Sequence, residues 1–265
     1  MFKRYFIELA FNGSHYHGWQ IQENAHSVQA ELNKGLSTLL KSAISTTGCG
    51  RTDTGVHARQ FFAHFNADLS ILKDSRKNLN YELTVEATAL SNLKHHLNRI
   101  LPEAIAITKI FAVHDTAHAR FDASARTYEY LIYQTKNPFL NSAAHFIHDR
   151  LDLDLMNQAA KLLFEHTDFS CFSKSRTQVL TNNCTILKAT WKIGGELVIF
   201  EISANRFLRN MVRAIVGTLL EVGRHQITLE EFVQVIEGKK RGEAGVSVPA
   251  CGLYLTKVTY PFFIK

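Results

Sequence analysis

Apolar and polar residues alternate from residue 3 to residue 11 (KRYFIELAF), the period-two pattern of a strand with one face in a core. The alternation returns over 59–66 (RQFFAHFN), dense in aromatics, and strands are also predicted over 105–113 and 126–133. Between them the period lengthens. Val28, Leu32, Leu36, Leu39 and Leu40 fall on one helical face, with Ser27 placed to cap its start. Further helices are predicted over 91–101, ended by Pro102, over 154–164 and over 205–222. Residues 184–191 and 196–203 read as a hairpin about Gly194-Gly195. The last helix carries a Thr228…Glu231 capping box, an Ile227/Phe232 staple and a terminal Gly238. A closing strand over 249–255 contains Gly252, a glycine expected where another group approaches closely. Over 67–89 the pattern weakens; its cluster of Lys73, Asp74, Arg76 and Lys77 reads as a solvated face.

Each half of the chain thus runs strand, helix, strand material, helix, strand. That order predicts an α+β protein of two split β-α-β units, helices on one face of antiparallel sheets. The boundary is expected between Val113 and Ala119, giving domains 1–113 and 114–265. At 265 residues each unit can bury a core of its own.

Charge changes the picture more than composition does. Hydrophobic residues at 46% and charged residues at 20% are ordinary for a globular protein. Lys and Arg number 30 against 24 Asp and Glu, and the pI is near 9.1, a balance suited to a polyanionic partner. Cys49, Cys171, Cys184 and Cys251 are scattered without a C-x-x-C, so neither a zinc site nor a disulfide framework is expected and a reducing cytosol is the default. The opening residues alternate without a long apolar core, so no signal peptide is read, and no apolar run reaches membrane-spanning length.

The chemistry concentrates in Gly48-Cys49-Gly50-Arg51-Thr52-Asp53-Thr54-Gly55-Val56-His57-Ala58, a glycine-bracketed loop feeding a strand. Asp beside Gly commonly caps a turn. Asp-Thr-Gly also occurs in aspartic proteases, but that chemistry needs two carboxylates sharing a proton, and the chain has one such tripeptide. Alternation places Arg51 on the side of Asp53, where a cation would keep the carboxylate ionised as a nucleophile or base. Arg206, Arg209 and Arg213 form a stripe opposite the apolar face of the predicted 205–222 helix, an arrangement that an anionic partner would neutralise. Arg126, Tyr128 and Tyr130 share one face of their strand, with Tyr130 expected in the core. Tyr16-His17-Gly18-Trp19-Gln20 admits two readings, base stacking or packing of a loop onto the core. His95 and His96 are adjacent on a helix and face apart, which disfavours a metal pair. Lys239-Lys240-Arg241 is a short basic run open to RNA or to solvent.

Gly50-Arg51-Thr52-Asp53-Thr54-Gly55-Val56-His57-Ala58 resembles the catalytic signature of the tRNA pseudouridine synthase A (TruA) family, with Thr54 where Ala is common. The resemblance extends to Asn12-Gly13-Ser14 with Tyr16-His17-Gly18-Trp19-Gln20, and to Ser27-Val28-Gln29. It continues in His118-Ala119-Arg120-Phe121, Arg126-Thr127-Tyr128-Glu129-Tyr130, the 205–217 segment with Met211-Val212-Arg213, and Pro249-Ala250-Cys251-Gly252-Leu253-Tyr254-Leu255. What it implies is isomerisation of uridine to pseudouridine in the anticodon arm of tRNA, at nucleotides 38 to 40 in tRNA numbering. It further implies a homodimer, two ferredoxin-like units flanking a central RNA-binding cleft, and no metal or organic cofactor. On this resemblance Asp53 matches the catalytic aspartate and Arg213 its basic partner. Tyr128 matches the tyrosine that packs on the target base, Leu253 the apolar wall beneath it, and Arg51 the arginine that helps displace the nucleotide. Arg206 and Arg209 are then expected on phosphates.

Three classes of function stay distinguishable: an RNA-modifying isomerase, a non-catalytic RNA-binding module and an aspartic protease. The Asp-centred glycine loop favours the isomerase over the module, and the neighbouring Arg51 argues against the protease.

Overall fold

The computed structural model describes residues 2–69, 82–174 and 181–263; the polar cluster of Lys73, Asp74, Arg76 and Lys77 lies outside them. The chain divides into two units, Met1–Ala123 with Tyr260–Lys265, and Ser124–Thr259. The division falls after the 113–119 stretch at which the sequence placed it. The physical reason is that 117–119 is anchored to the first unit: Arg4 donates to the carbonyl of Ala117 at 2.9 Å, and the Ala119 N–H donates to His64 Nδ1 at 3.1 Å.

The first unit holds β1 (Lys3–Phe11), α1 (Val28–Leu40), β2 (Thr47–Gly48), β3 (His57–Ala67), α2 (Glu82–Ile100) and β4 (Ile105–Ala112). β1 is central and antiparallel to both β3 and β4, and β2 pairs with β3. The stripe predicted for α1 packs inward, with Val28, Leu32, Leu36 and Leu40 buried and Leu39 half-buried, and Leu93 and Leu97 of α2 are buried too. α2 begins earlier than the predicted 91, in the stretch whose weak hydrophobic period hid it. Ser27 does cap α1, its Oγ accepting from the Ala30 N–H at 3.3 Å.

The second unit holds β5 (Ala125–Tyr133), β6 (His145–Phe146), α3 (Leu153–Leu162), β7 (Ile186–Gly194), β8 (Leu197–Ala204), α4 (Met211–Gly223), α5 (Leu229–Gly238) and β9 (Leu253–Thr259). β5 is antiparallel to both β8 and β9, β7 pairs with β8, and the short β6 runs parallel to β5. Setting β6 and α5 aside, both units therefore run strand, helix, strand, strand, helix, strand, with the first strand between the last and the third. Packing of Tyr130, Phe200, Ile202, Met156 and Ile215 builds the second core. The capping box of α5 is present in both directions between Thr228 and Glu231.

One predicted helix is corrected. It spans Met211–Gly223 rather than 205–222, because polar side chains compete for the backbone ahead of it. The Asn205 Oδ1 accepts from the N–H groups of Thr185 at 2.8 Å and Arg206 at 2.7 Å, and Asn210 takes a left-handed conformation with φ of 67°. Arg206 and Arg209 therefore lie in a loop, and no three-arginine helical stripe forms. Among the described residues no helix is long and apolar enough to cross a membrane.

Candidate active site

The Asp53 loop is built by the segment before α1. β2 and the Cys49 N–H, which donates to the Phe62 carbonyl at 2.7 Å, bring the chain off the sheet. The Val56 N–H then donates to the Asp53 carbonyl at 3.1 Å, turning the chain back into β3. Residues 12–19 lie directly against this turn. The Gly13 N–H donates to His57 Nδ1 at 3.1 Å, the Gly55 N–H to the Tyr16 carbonyl at 3.2 Å, and the Trp19 N–H to Thr52 Oγ1 at 3.0 Å. A Cβ on Gly13 would overlap the Val56 carbonyl oxygen, and one on Gly18, whose φ is 85°, would overlap that of Thr52. Thr52 and His57 are buried on either side of Asp53, which is half-buried. The carboxylate is thus carried on a backbone fixed at both shoulders, as a reacting group requires.

The same bonds settle the aromatic loop. Trp19 is 2% exposed and stacks on Phe61 at 4.3 Å, and Tyr16 is buried against His26 at 4.7 Å. Both are packing residues, and neither is presented to a base. Gln29 explains the neighbouring motif: its side chain accepts from the Ile21 N–H at 3.0 Å and donates to the Thr46 carbonyl at 2.7 Å. Residues 51–53 belong to no strand or helix and lead into the turn at Thr54-Gly55; the Arg51 side chain is exposed.

In the second unit Arg213 and Leu253 meet around one segment, 244–253. The Arg213 Nε–H donates to the Val248 carbonyl at 2.7 Å, and the Val248 N–H returns to the Arg213 carbonyl at 3.2 Å. Asn210 and Arg241 both bond Ser247 Oγ, at 2.6 and 2.8 Å. Tyr130, fully buried, donates its hydroxyl to the Pro249 carbonyl at 2.9 Å, the core role expected of it. Burial drives its phenol pKa up, and the nearby Arg213 charge opposes that shift. Gly252 is the close approach anticipated: a Cβ there would lie 2.8 Å from the Leu131 carbonyl oxygen. Leu253 follows, buried opposite Tyr130 across the β5–β9 pair.

Tyr128 lies two residues before Tyr130, half-buried, and meets Phe207 edge to face with ring centroids 5.2 Å apart. Phe207 comes from the 205–210 loop and was not singled out by the sequence pattern; its place between Arg206 and Leu208 was the available signal. Arg126, on the same strand, donates to the Asn205 carbonyl at 3.0 Å and so holds that loop from its other end. Arg206 is half-buried and Arg209 exposed.

Comparison with known proteins bears on all of these segments. The chain is 46% identical over 259 residues to tRNA pseudouridine synthase A of Parabacteroides distasonis, covering 98% of this chain and 96% of that protein. The chain belongs to the tRNA pseudouridine synthase A family. It is also 46% identical to the Bacteroides fragilis member over 98% of this chain and 97% of that one. Identity to the Bacteroides thetaiotaomicron member is 47% over 98% and 91%. A family profile described as tRNA pseudouridine synthase matches residues 159–261, which include Arg213, Leu253 and the segment joining them. Pseudouridine synthases are isomerases, and the mixed strand-and-helix architecture fits that family.

Proposed function

We propose that this chain isomerises uridine to pseudouridine in the anticodon arm of tRNA, at nucleotides 38 to 40, with Asp53 as its nucleophile or base. The observation that carries this reading is the doubly clamped Asp53 loop in a chain so similar to proteins named tRNA pseudouridine synthase A.

The reaction breaks the bond from ribose C1′ to uracil N1 and forms one from C1′ to C5. The C5 proton leaves and N1 gains one, so every atom needed is in the substrate or in water, and no metal or organic cofactor is called for. An ionised carboxylate at Asp53 attacks sugar or base, or removes a sugar proton to give a glycal; a base then takes the proton from C5. Arg213 serves as its basic partner, and a fixed cation there favours the anionic carboxylate. The target base must leave its stack to be reached. Tyr128 packs on it, Leu253 walls it, and Arg51 displaces it from the helix. Arg206 and Arg209 bind phosphates from a loop rather than a helix face, so their reach is set by the Asn205 and Asn210 bonds.

On this reading each unit, with its strand, helix, strand, strand, helix, strand order, is ferredoxin-like. The first unit supplies Asp53 to the bound RNA, and the second supplies Tyr128, Arg213 and Leu253. The protein acts in the cytoplasm as a homodimer, without a membrane.

The test is to incubate unmodified tRNA with the protein and locate carbodiimide adducts by primer extension. Stops at one or more of nucleotides 38 to 40 are expected. Stops confined to other positions would leave a pseudouridine synthase of different site choice, and no stops at all would remove the isomerase reading.

A further inference from the structure

Within residues 117–123, Ala117 and Ala119 are fully buried, whereas Phe121 is 75% exposed. A lone exposed apolar side chain is ordinary on a protein surface. This one is held in a built setting. Its ring stacks on His118 with centroids 4.3 Å apart and planes 30° from parallel. His118 Nδ1 accepts from the N–H groups of both Arg120 and Phe121, at 3.1 and 3.2 Å, so that nitrogen carries no proton and the ring cannot turn. The Asp122 carboxylate accepts from the His118 N–H at 2.7 Å, and the Asp122 N–H donates to the His118 carbonyl at 3.1 Å.

Beneath this loop lies a second ring. His64 meets His118 edge to face at 4.7 Å and accepts from the Ala119 N–H. The Tyr260 hydroxyl donates to the Ala119 carbonyl, and Arg4 to that of Ala117. Burial pushes both imidazoles below their ordinary range, His64 to about 4, so at neutral pH both are uncharged. The cation at the surface is Arg120, whose guanidinium carbon lies 5.8 Å from the Phe121 ring centroid.

An exposed aromatic ring fixed from behind, with an arginine beside it, is the chemistry that holds an unstacked nucleobase and its phosphate. We propose that Phe121 and Arg120 form a stacking platform for a nucleotide of the RNA substrate. The nucleotide is distinct from the one that reacts at Asp53. Asp53 precedes β3 at His57, and from His57 to His64 a strand rises roughly 23 Å at about 3.3 Å per residue. This inference rests on the proposed function for the identity of the polymer, but its test does not need turnover.

Binding of unmodified tRNA is measured by filter retention for the wild type, Phe121→Ala, Phe121→Trp and Arg120→Gln, with circular dichroism confirming that each is folded. Loss of one base–aromatic stack predicts a Kd roughly tenfold weaker for Phe121→Ala, with affinity retained in Phe121→Trp. Trp19 and Trp191 are both buried, so tRNA should quench the emission of the Phe121→Trp protein well beyond that of the wild type. Arg120→Gln should lower the slope of log K against log salt by about one contact's worth, roughly 0.7 to 0.9. An unchanged Kd in Phe121→Ala overturns the platform, whether or not the variant also changes oligomeric state, which would mark the ring as a protein contact. A wild type that binds tRNA through Phe121 yet makes no pseudouridine would sink the isomerase reading and leave the platform standing.

Discussion

The carbonyl oxygen of Thr52 occupies the space in which any side chain on residue 18 would have to begin. Gly18 also has a φ of 85°, a conformation that residues with a Cβ adopt at a cost. Sequence, backbone and site therefore meet at this pair: the turn before α1 can support the Asp53 loop only while residue 18 is bare. Gly18→Ala is expected to destabilise the protein by about 1–3 kcal/mol and to reduce pseudouridine formation more than that loss of folded protein explains. Thermal unfolding alongside turnover per folded molecule, well below the melting temperature, checks it. Equal activity per folded molecule would show that the clamp does not position Asp53.

Thr52 contributes a second, separable support through the bond from the Trp19 N–H. Replacing it with Val keeps the shape and removes the acceptor, leaving a buried N–H unsatisfied at a cost of about 1–3 kcal/mol. Thr52→Ser retains an acceptor and should recover most of that stability. Urea unfolding of the two variants compares them directly, and equal midpoints would show that the bond carries no net stability.

The strands and the caps were legible because each rests on a local rule. Alternation marked β1, β3 and β5, Ser27 and the Thr228…Glu231 box announced their helices, and Gly252 was recognisable as a point of close approach. The start of α4 was not legible. Leu208 falls in register with Met211, Val212 and Ile215, so the helical period runs on through residues that are not helical. What ends it is Asn205, which bonds two backbone N–H groups from a loop, and a hydrophobic pattern cannot register such competition. Trp19 was ambiguous for a related reason: its indole is claimed by Phe61, a partner far away in sequence. The Asp53 loop was marked by its glycines, but the supports Gly13 and Gly18 became legible only through contacts across the fold.

Phe207 is the residue whose role emerged from the structure alone. Its edge contact fixes one side of the Tyr128 ring. Phe207→Ala should lower kcat by roughly three- to tenfold, since aromatic pairs are worth about 0.5–1.5 kcal/mol, while tRNA affinity stays close to that of the wild type. Steady-state kinetics over a tRNA titration separates the two constants. A change confined to KM would instead assign Phe207 to binding.

His64 makes stability depend on pH. Burial lowers its pKa from 6.5 to about 4, with the His118 and Arg4 charges adding to that shift and Asp122 opposing it. The folded state therefore holds this proton less tightly than the unfolded chain does. Its stability is intact above about pH 6.5 and declines as pH falls toward 4, by up to roughly 3 kcal/mol. His118 and His145 are shifted in the same direction, so His64→Gln should flatten the decline without abolishing it. Urea midpoints at about pH 7.5 and about pH 4.5 measure the difference, and parallel declines in the two proteins would contradict this assignment.

The role of Asp53 is measured most directly by release of tritium from tRNA labelled at uridine C5. Wild type and Asp53→Asn are compared at equal tRNA occupancy. Steady release by the wild type and none by Asp53→Asn is expected, with tRNA affinity nearly unchanged, because the carboxylate is required for the chemistry and not for the grip on RNA. Release by Asp53→Asn at the wild-type rate, or none from a folded, tRNA-bound wild type across several unmodified tRNAs, would contradict it.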